Sequence, residues 1–150
     1  MGQPSADFPD AVARALDPIA SIRVAWLFGS RSKGTARADS DIDIAVAFAH
    51  DLDDRAREDA RRDIVDALTD ALGRLGERVD VVDLDRCDSA IGFAAIRHGQ
   101  RLFARSERDR IEAEVSVCKR HADDEPRRQL FRAAAIEAAR RMGEARGGRA

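Results

Sequence analysis

Apolar and polar positions alternate in two different rhythms along this chain. From Ile22 to Phe28 (IRVAWLF) all but Arg23 are apolar, with β-branched and aromatic members, and the run stops at Gly29-Ser30. That pattern predicts a buried strand delivering its end to a turn. In Asp41-Ile42-Asp43-Ile44-Ala45-Val46 acidic and apolar residues alternate, so a second strand is expected with Ile42, Ile44 and Val46 facing the core. Residues 53 to 75 place Ile64, Leu68, Leu72 and Leu75 at helical spacing among charges, with Gly76 in the capping position, which predicts a long amphipathic helix. A short helix is expected over Ala11 to Leu16, stopped near Pro18. Arg78 to Leu84 (RVDVVDL) restarts a strand, Ser89 to Arg97 a helix, and Arg101-Leu102-Phe103 a short edge strand or turn. Two helices, Glu107 to His121 and, after Pro126, Arg127 to Arg146, close on Gly147-Gly148. No internal repeat or low-complexity linker interrupts this order.

A chain of 150 residues fits one compact domain carrying a short helical appendage. No run approaches the roughly 18 consecutive apolar residues of a membrane span. The start, MGQPSADFPD, has neither the basic nor the apolar region of a signal peptide, and Ala6 breaks the acylation pattern, so a cytoplasmic protein without membrane contact is expected. Cys87 and Cys118 lack CxxC spacing, and His50, His98 and His121 lack paired-ligand spacing, so any metal is a hard cation held by oxygen. The net charge of -2 is uneven: residues 1–100 carry 13 Lys+Arg against 19 Asp+Glu, residues 101–150 carry 13 against 9. Slight overall acidity and 5% aromatics argue against direct nucleic-acid binding. Trp26 and Phe28 are expected in the core, and His98 at a helix end. The end from Arg127 to Arg146 is expected to pack on its own core, the alternative being a surface for a partner or a second copy.

The chemistry concentrates between Gly29 and Asp43. Directly after a buried strand, Gly29 lets the backbone approach a ligand and Ser30 adds a hydroxyl where exposed amides bind phosphate oxygens. Asp41 and Asp43, two apart on a strand, project on one face and repel unless a cation or proton neutralises them; oxygen ligands beside a phosphate substrate suit Mg²⁺. Two ions, one activating the attacking oxygen and one neutralising pyrophosphate, need a third carboxylate from a neighbouring strand. Asp80, within RVDVVDL, is preferred over Asp83, because acids at strand ends are ordinarily turn-forming or solvated. Arg31, Lys33 and Arg37 lie in the intervening loop, where cations can meet pyrophosphate charge.

The turn Gly-Ser, ten residues, then Asp-x-Asp resembles the signature of the minimal nucleotidyltransferases of the DNA polymerase β-like superfamily. The strand ending in FGS, Gly34 in the loop, Ser40 before the first acid and the later V-D-V strand match it too. The resemblance covers roughly residues 20 to 105. It implies an α/β (α+β) nucleotidyltransferase fold, a small mixed β-sheet flanked by helices: a minimal nucleotidyltransferase domain over 1–105 and a C-terminal helical extension over 106–150. It also implies Mg²⁺ on Asp41 and Asp43, assisted by Asp80, and ATP resting on Gly29-Ser30, with Ser40 beside the nucleotide.

Within that superfamily the short length looks most like the MntA antitoxins of HEPN/MNT toxin–antitoxin pairs, which transfer AMP from ATP onto a tyrosine hydroxyl of a HEPN ribonuclease toxin. The resemblance implies such a toxin as partner. The chain contains no tyrosine, so self-modification on tyrosine is excluded. Two rival readings are a non-catalytic antitoxin that neutralises by occlusion and an aminoglycoside-type small-molecule transferase. Intact signature positions speak against the first, and the small size against the second.

Overall fold

β1 (Ile22–Phe28) and β2 (Ile42–Phe48) are apolar on both faces because helices cover both sides of the sheet they centre. The computed structural model describes residues 7–147; the readings of Met1–Ala6 and Gly148 lie outside the described residues. β3 (Val79–Asp83) and β4 (Gln100–Ala104) complete a four-stranded mixed sheet of order β3-β2-β1-β4. β1 runs antiparallel to β2 and β4, while β2 and β3 are parallel. The parallel pair requires a crossover, which α3 (Asp54–Leu72) provides.

One face of the sheet packs against α1 (Asp7–Leu16) and α3, where Val12, Leu16, Ile64 and Leu68 meet Ile22, Leu27, Ile42, Ile44 and Val46. The other face packs against α4 (Ser89–His98) and α5 (Glu107–Asp123), where Ala95, Ala113 and Val117 meet Val24, Trp26, Ala45 and Ala47. Trp26 is buried, Phe28 is half-buried at the edge of this second core, and His98 ends α4, as expected.

The first helix starts earlier than expected, at Asp7, because Pro9 falls in its first turn, where no intrahelical donor is lost. Part of the expected loop after Gly29 is instead the single helical turn α2 (Ser30–Lys33), closed by Gly34 at φ 72°. α3 ends at Leu72, three residues before its expected end at Leu75. Gly73, at φ 64°, stops it, and Gly73–Glu77 continue as a 3₁₀ turn. Gly76 serves packing: a Cβ there would stand 2.2 Å from the Leu68 backbone. α6 (Glu125–Gly147) corrects the largest expectation. It carries no buried residue, so the C-terminal helix does not pack on its own core.

Candidate active site

Three neighbouring strands bring the end of β1 and two carboxylates into one row across the sheet. Phe28 lies opposite Asp43 of β2, and Asp43 lies opposite Asp80 of β3. Strand alternation fixes the face. Asp43 shares its side of β2 with Ala45 and Ala47, and Asp80 its side of β3 with Val82, all belonging to the α4–α5 side. Asp41, two residues before Asp43, falls on that side too.

The row is electrostatically uncomfortable. Burial raises the pKa of Asp43 above its ordinary value, and the charges of Asp80 and Asp41 push it the same way. Gly29 presses against this carboxylate at φ 70° and ψ −155°; a Cβ there would stand 2.1 Å from Asp43 Oδ2 and 3.0 Å from its Cγ. Glycine is therefore required twice, for the backbone conformation and for the space. The turn and the acid strand form one packed unit.

Ser30 follows Gly29 as the first residue of α2, and Lys33 and Arg37 stand exposed beyond it. Arg31 is engaged elsewhere. Its Nε and Nη2 donate to the Ser40 carbonyl at 3.1 and 2.8 Å, and its guanidinium lies 5.1 Å from the Phe8 ring centroid. The Ser40 hydroxyl accepts from the Arg37 amide at 2.8 Å. Arg31 and Ser40 thus brace the loop that leads into β2.

Asp41 is exposed and accepts from Arg78 Nε at 3.0 Å. Arg78 escaped sequence reasoning because 37 residues separate the pair; its one signal was a cation directly ahead of an acid-bearing strand. No converged group of three or more metal-competent side chains exists among the described residues. Asp80 stands exposed at the rim of an open cleft of ≈ 410 Å³ between β3 and α3, lined also by Glu58, Arg61, Arg62 and Asp66 of α3 and by Val79 and Val81, which opens on the α3 side of the sheet rather than the side of Asp43.

Asp83 occupies the opposite face of β3, toward α3. It is 2% exposed, and its Oδ2 accepts from Arg57 Nη1 at 2.8 Å while its Oδ1 accepts from the Asp85 amide at 3.0 Å. This acid forms the turn, as expected of a strand end, its Oδ1 taking the amide two residues on, but it is not solvated. It is the buried half of an ion pair that ties β3 to α3.

A family model described as Polymerase beta, Nucleotidyltransferase matches residues 12–108. The protein adenylyltransferase MntA of Shewanella oneidensis is 33% identical over 101 residues, 67% of this chain and 68% of that protein. A chain of the crystal structure of a toxin-antitoxin with AMP-PNP aligns with a TM-score of 0.65 at 28% identity, covering 86% of this chain and 98% of its own length. A chain of the MntA-HepT toxin-antitoxin crystal structure aligns at 0.58 with 25% identity, over 85% and 96% respectively.

Proposed function

The chain belongs to the polymerase β nucleotidyltransferase family, and we propose that it transfers AMP from ATP to a hydroxyl of a HEPN-type ribonuclease toxin, releasing pyrophosphate and so acting as that toxin's antitoxin. The observation that carries the chemistry is Asp43 set in register with Asp80 and pressed against the Gly29 turn. The adenylyltransferase name of the 33% identical relative supports AMP as the transferred group and a protein as acceptor, and the AMP-PNP complex supports ATP as donor.

The residues fit magnesium. The donors are all oxygen, Asp43 is held at a cost by burial and by neighbouring like charge, and Arg78 already lies on Asp41 where a cation is wanted. Asp41, Asp43 and Asp80 would hold it, as two ions, once Asp41 leaves Arg78. Bound there, Mg²⁺ supplies neutralisation of triphosphate charge and polarisation of the α-phosphate.

The remaining work falls to the chain itself. Gly29 and Ser30 seat the β- and γ-phosphates, and the exposed Lys33 and Arg37 offset charge on departing pyrophosphate. The acceptor approaches on the α4–α5 side of β3, where Asp80 stands in register with Asp43. Its hydroxyl oxygen bonds to the α-phosphorus as the bond from that phosphorus to the pyrophosphate oxygen breaks, and Asp80 takes the hydroxyl proton. Residues 1–105 perform this chemistry, and residues 106–150 serve recognition.

The test is incubation with α-labelled ATP, Mg²⁺ and the protein encoded beside this chain. Label is expected on that protein, and none with Asp41→Ala or Asp43→Ala. Full toxin neutralisation by those variants would instead establish occlusion.

A further inference from the structure

α6 is 23 residues long, about 35 Å at 1.5 Å per residue, and buries nothing. Large apolar side chains stand in solvent along it: Leu130 is 73% exposed, Phe131 63% and Met142 63%. A helix this poorly packed is held by its own charges, through Arg132 to Glu125, Arg141 to Glu137 and Arg140 to Glu144. Its root is fixed to the body, where Arg128 donates to the His121 carbonyl and to the Ser89 hydroxyl.

One set of apolar positions forms a line along the helix, while Leu130 and Ile136, the latter 71% exposed, fall off it on either side. Phe131, Ala135, Ala138, Met142 and Ala145 recur at steps of four and three, the spacing of a helix-to-helix seam. At roughly 100° per residue, Arg141 borders this seam on one side and Arg132 and Arg146 on the other. Glu137 and Glu144 fall on the far face. Arg127 lies at the seam's start, its guanidinium 5.5 Å from the Phe131 ring centroid. Six arginines against three glutamates leave the helix net positive on a chain that is net negative.

We propose that the arginine-edged apolar seam of α6 docks the acceptor protein by receiving one of its amphipathic helices, a helix whose own apolar stripe is bordered by carboxylates. A second copy of α6 would set arginines against arginines, so charge selects an unlike partner. The inference rests on the reading above only in assuming a protein acceptor. The transfer chemistry is independent of it.

The experiment uses the full chain and a labelled helical peptide with leucine at the seam positions and glutamate at the flanks, beside a twin carrying lysine at the flanks. Anisotropy should show the acidic peptide binding at least tenfold tighter than its twin, with the difference shrinking at high salt. Phe131→Asp and Met142→Asp should each weaken binding about tenfold without lowering the melting temperature, since both side chains are exposed. Equal affinity for both peptides, or no binding of the acidic one, overturns the proposal. So does a dimer of the chain alone that Phe131→Asp dissolves. AMP transfer is scored separately: its absence alongside selective peptide binding would sink the proposed function and leave the acidic-helix partner standing.

Discussion

Replacing Gly29 by alanine tests the packing of the phosphate turn against the acid strand. At φ 70° and ψ −155°, a region kept almost to glycine, an alanine carries backbone strain of about 1–2 kcal/mol. Its Cβ would also sit 2.1 Å from Asp43 Oδ2, so the carboxylate must rotate or the turn must move. Either response adds on the order of 1 kcal/mol or more, as overpacking does. The sum, about 2–3 kcal/mol, corresponds to a fall in Tm of roughly 5–10 °C for a domain of this size. The informative form is a double-mutant cycle with Asp43→Ala, read by thermal and urea unfolding. Without the Asp43 carboxylate the clash disappears and only backbone strain remains. Gly29→Ala should then cost about 1 kcal/mol less than in the wild-type background. Equal costs in both backgrounds would refute direct packing of the turn on Asp43, and a total below about 0.5 kcal/mol would refute the strain as well.

Asp43→Asn should stabilise the metal-free protein at neutral pH. The folded pKa of Asp43 is raised by burial and by Asp80 and Asp41, so ionisation costs stability above that pKa and nothing below the unfolded carboxylate value. The advantage over wild type, a few degrees in Tm after solvent screening, should vanish as pH falls through the ordinary aspartate range near about 4, and a pH series of melting curves checks it. Asp80→Ala should abolish transfer with Tm nearly unchanged. Asp83→Ala should leave the buried Arg57 with only the more distant Asp85 carboxylate, 3.5 Å away, and cost toward the lower end of about 3–5 kcal/mol, and comparison of the two by unfolding and label transfer decides which acid serves the reaction. Arg78→Gln should remove the cation competing for Asp41 and lower the Mg²⁺ concentration needed for half-maximal nucleotide binding several-fold, read by titration at fixed nucleotide.

The central strands were readable because burial on both faces leaves an almost unbroken apolar run, as in Ile22–Phe28, and the acid strand because Asp41 and Asp43 alternate with Ile42 and Ile44. The Gly29 turn was readable because spacing survives folding. α2 was not, since a single turn is too short to show a period. The end of α3 was misplaced because Leu75 prolongs the helical pattern past Gly73, and nothing local distinguishes a glycine that caps from one, Gly76, that packs.

The ion pairs Arg78–Asp41 and Arg57–Asp83 join residues 37 and 26 apart, and only the parallel pairing of β2 with β3 and the crossing of α3 bring them together. Arg31 reads as a cation able to meet pyrophosphate charge because it lies between turn and acids; that its guanidinium also braces carbonyls of its own loop depends on how the loop folds back, which spacing does not show. The exposure of α6 was not readable because an amphipathic stripe looks alike whether its own core or another molecule covers it.

The most direct measurement is calorimetric titration of the pure chain with a non-hydrolysable ATP analogue, with and without Mg²⁺, for the wild type and for Asp43→Asn. Micromolar binding that needs Mg²⁺ and disappears in the variant is the predicted result. Equal binding without the cation, or unchanged binding by Asp43→Asn, would contradict a carboxylate row built to hold a metal–nucleotide complex.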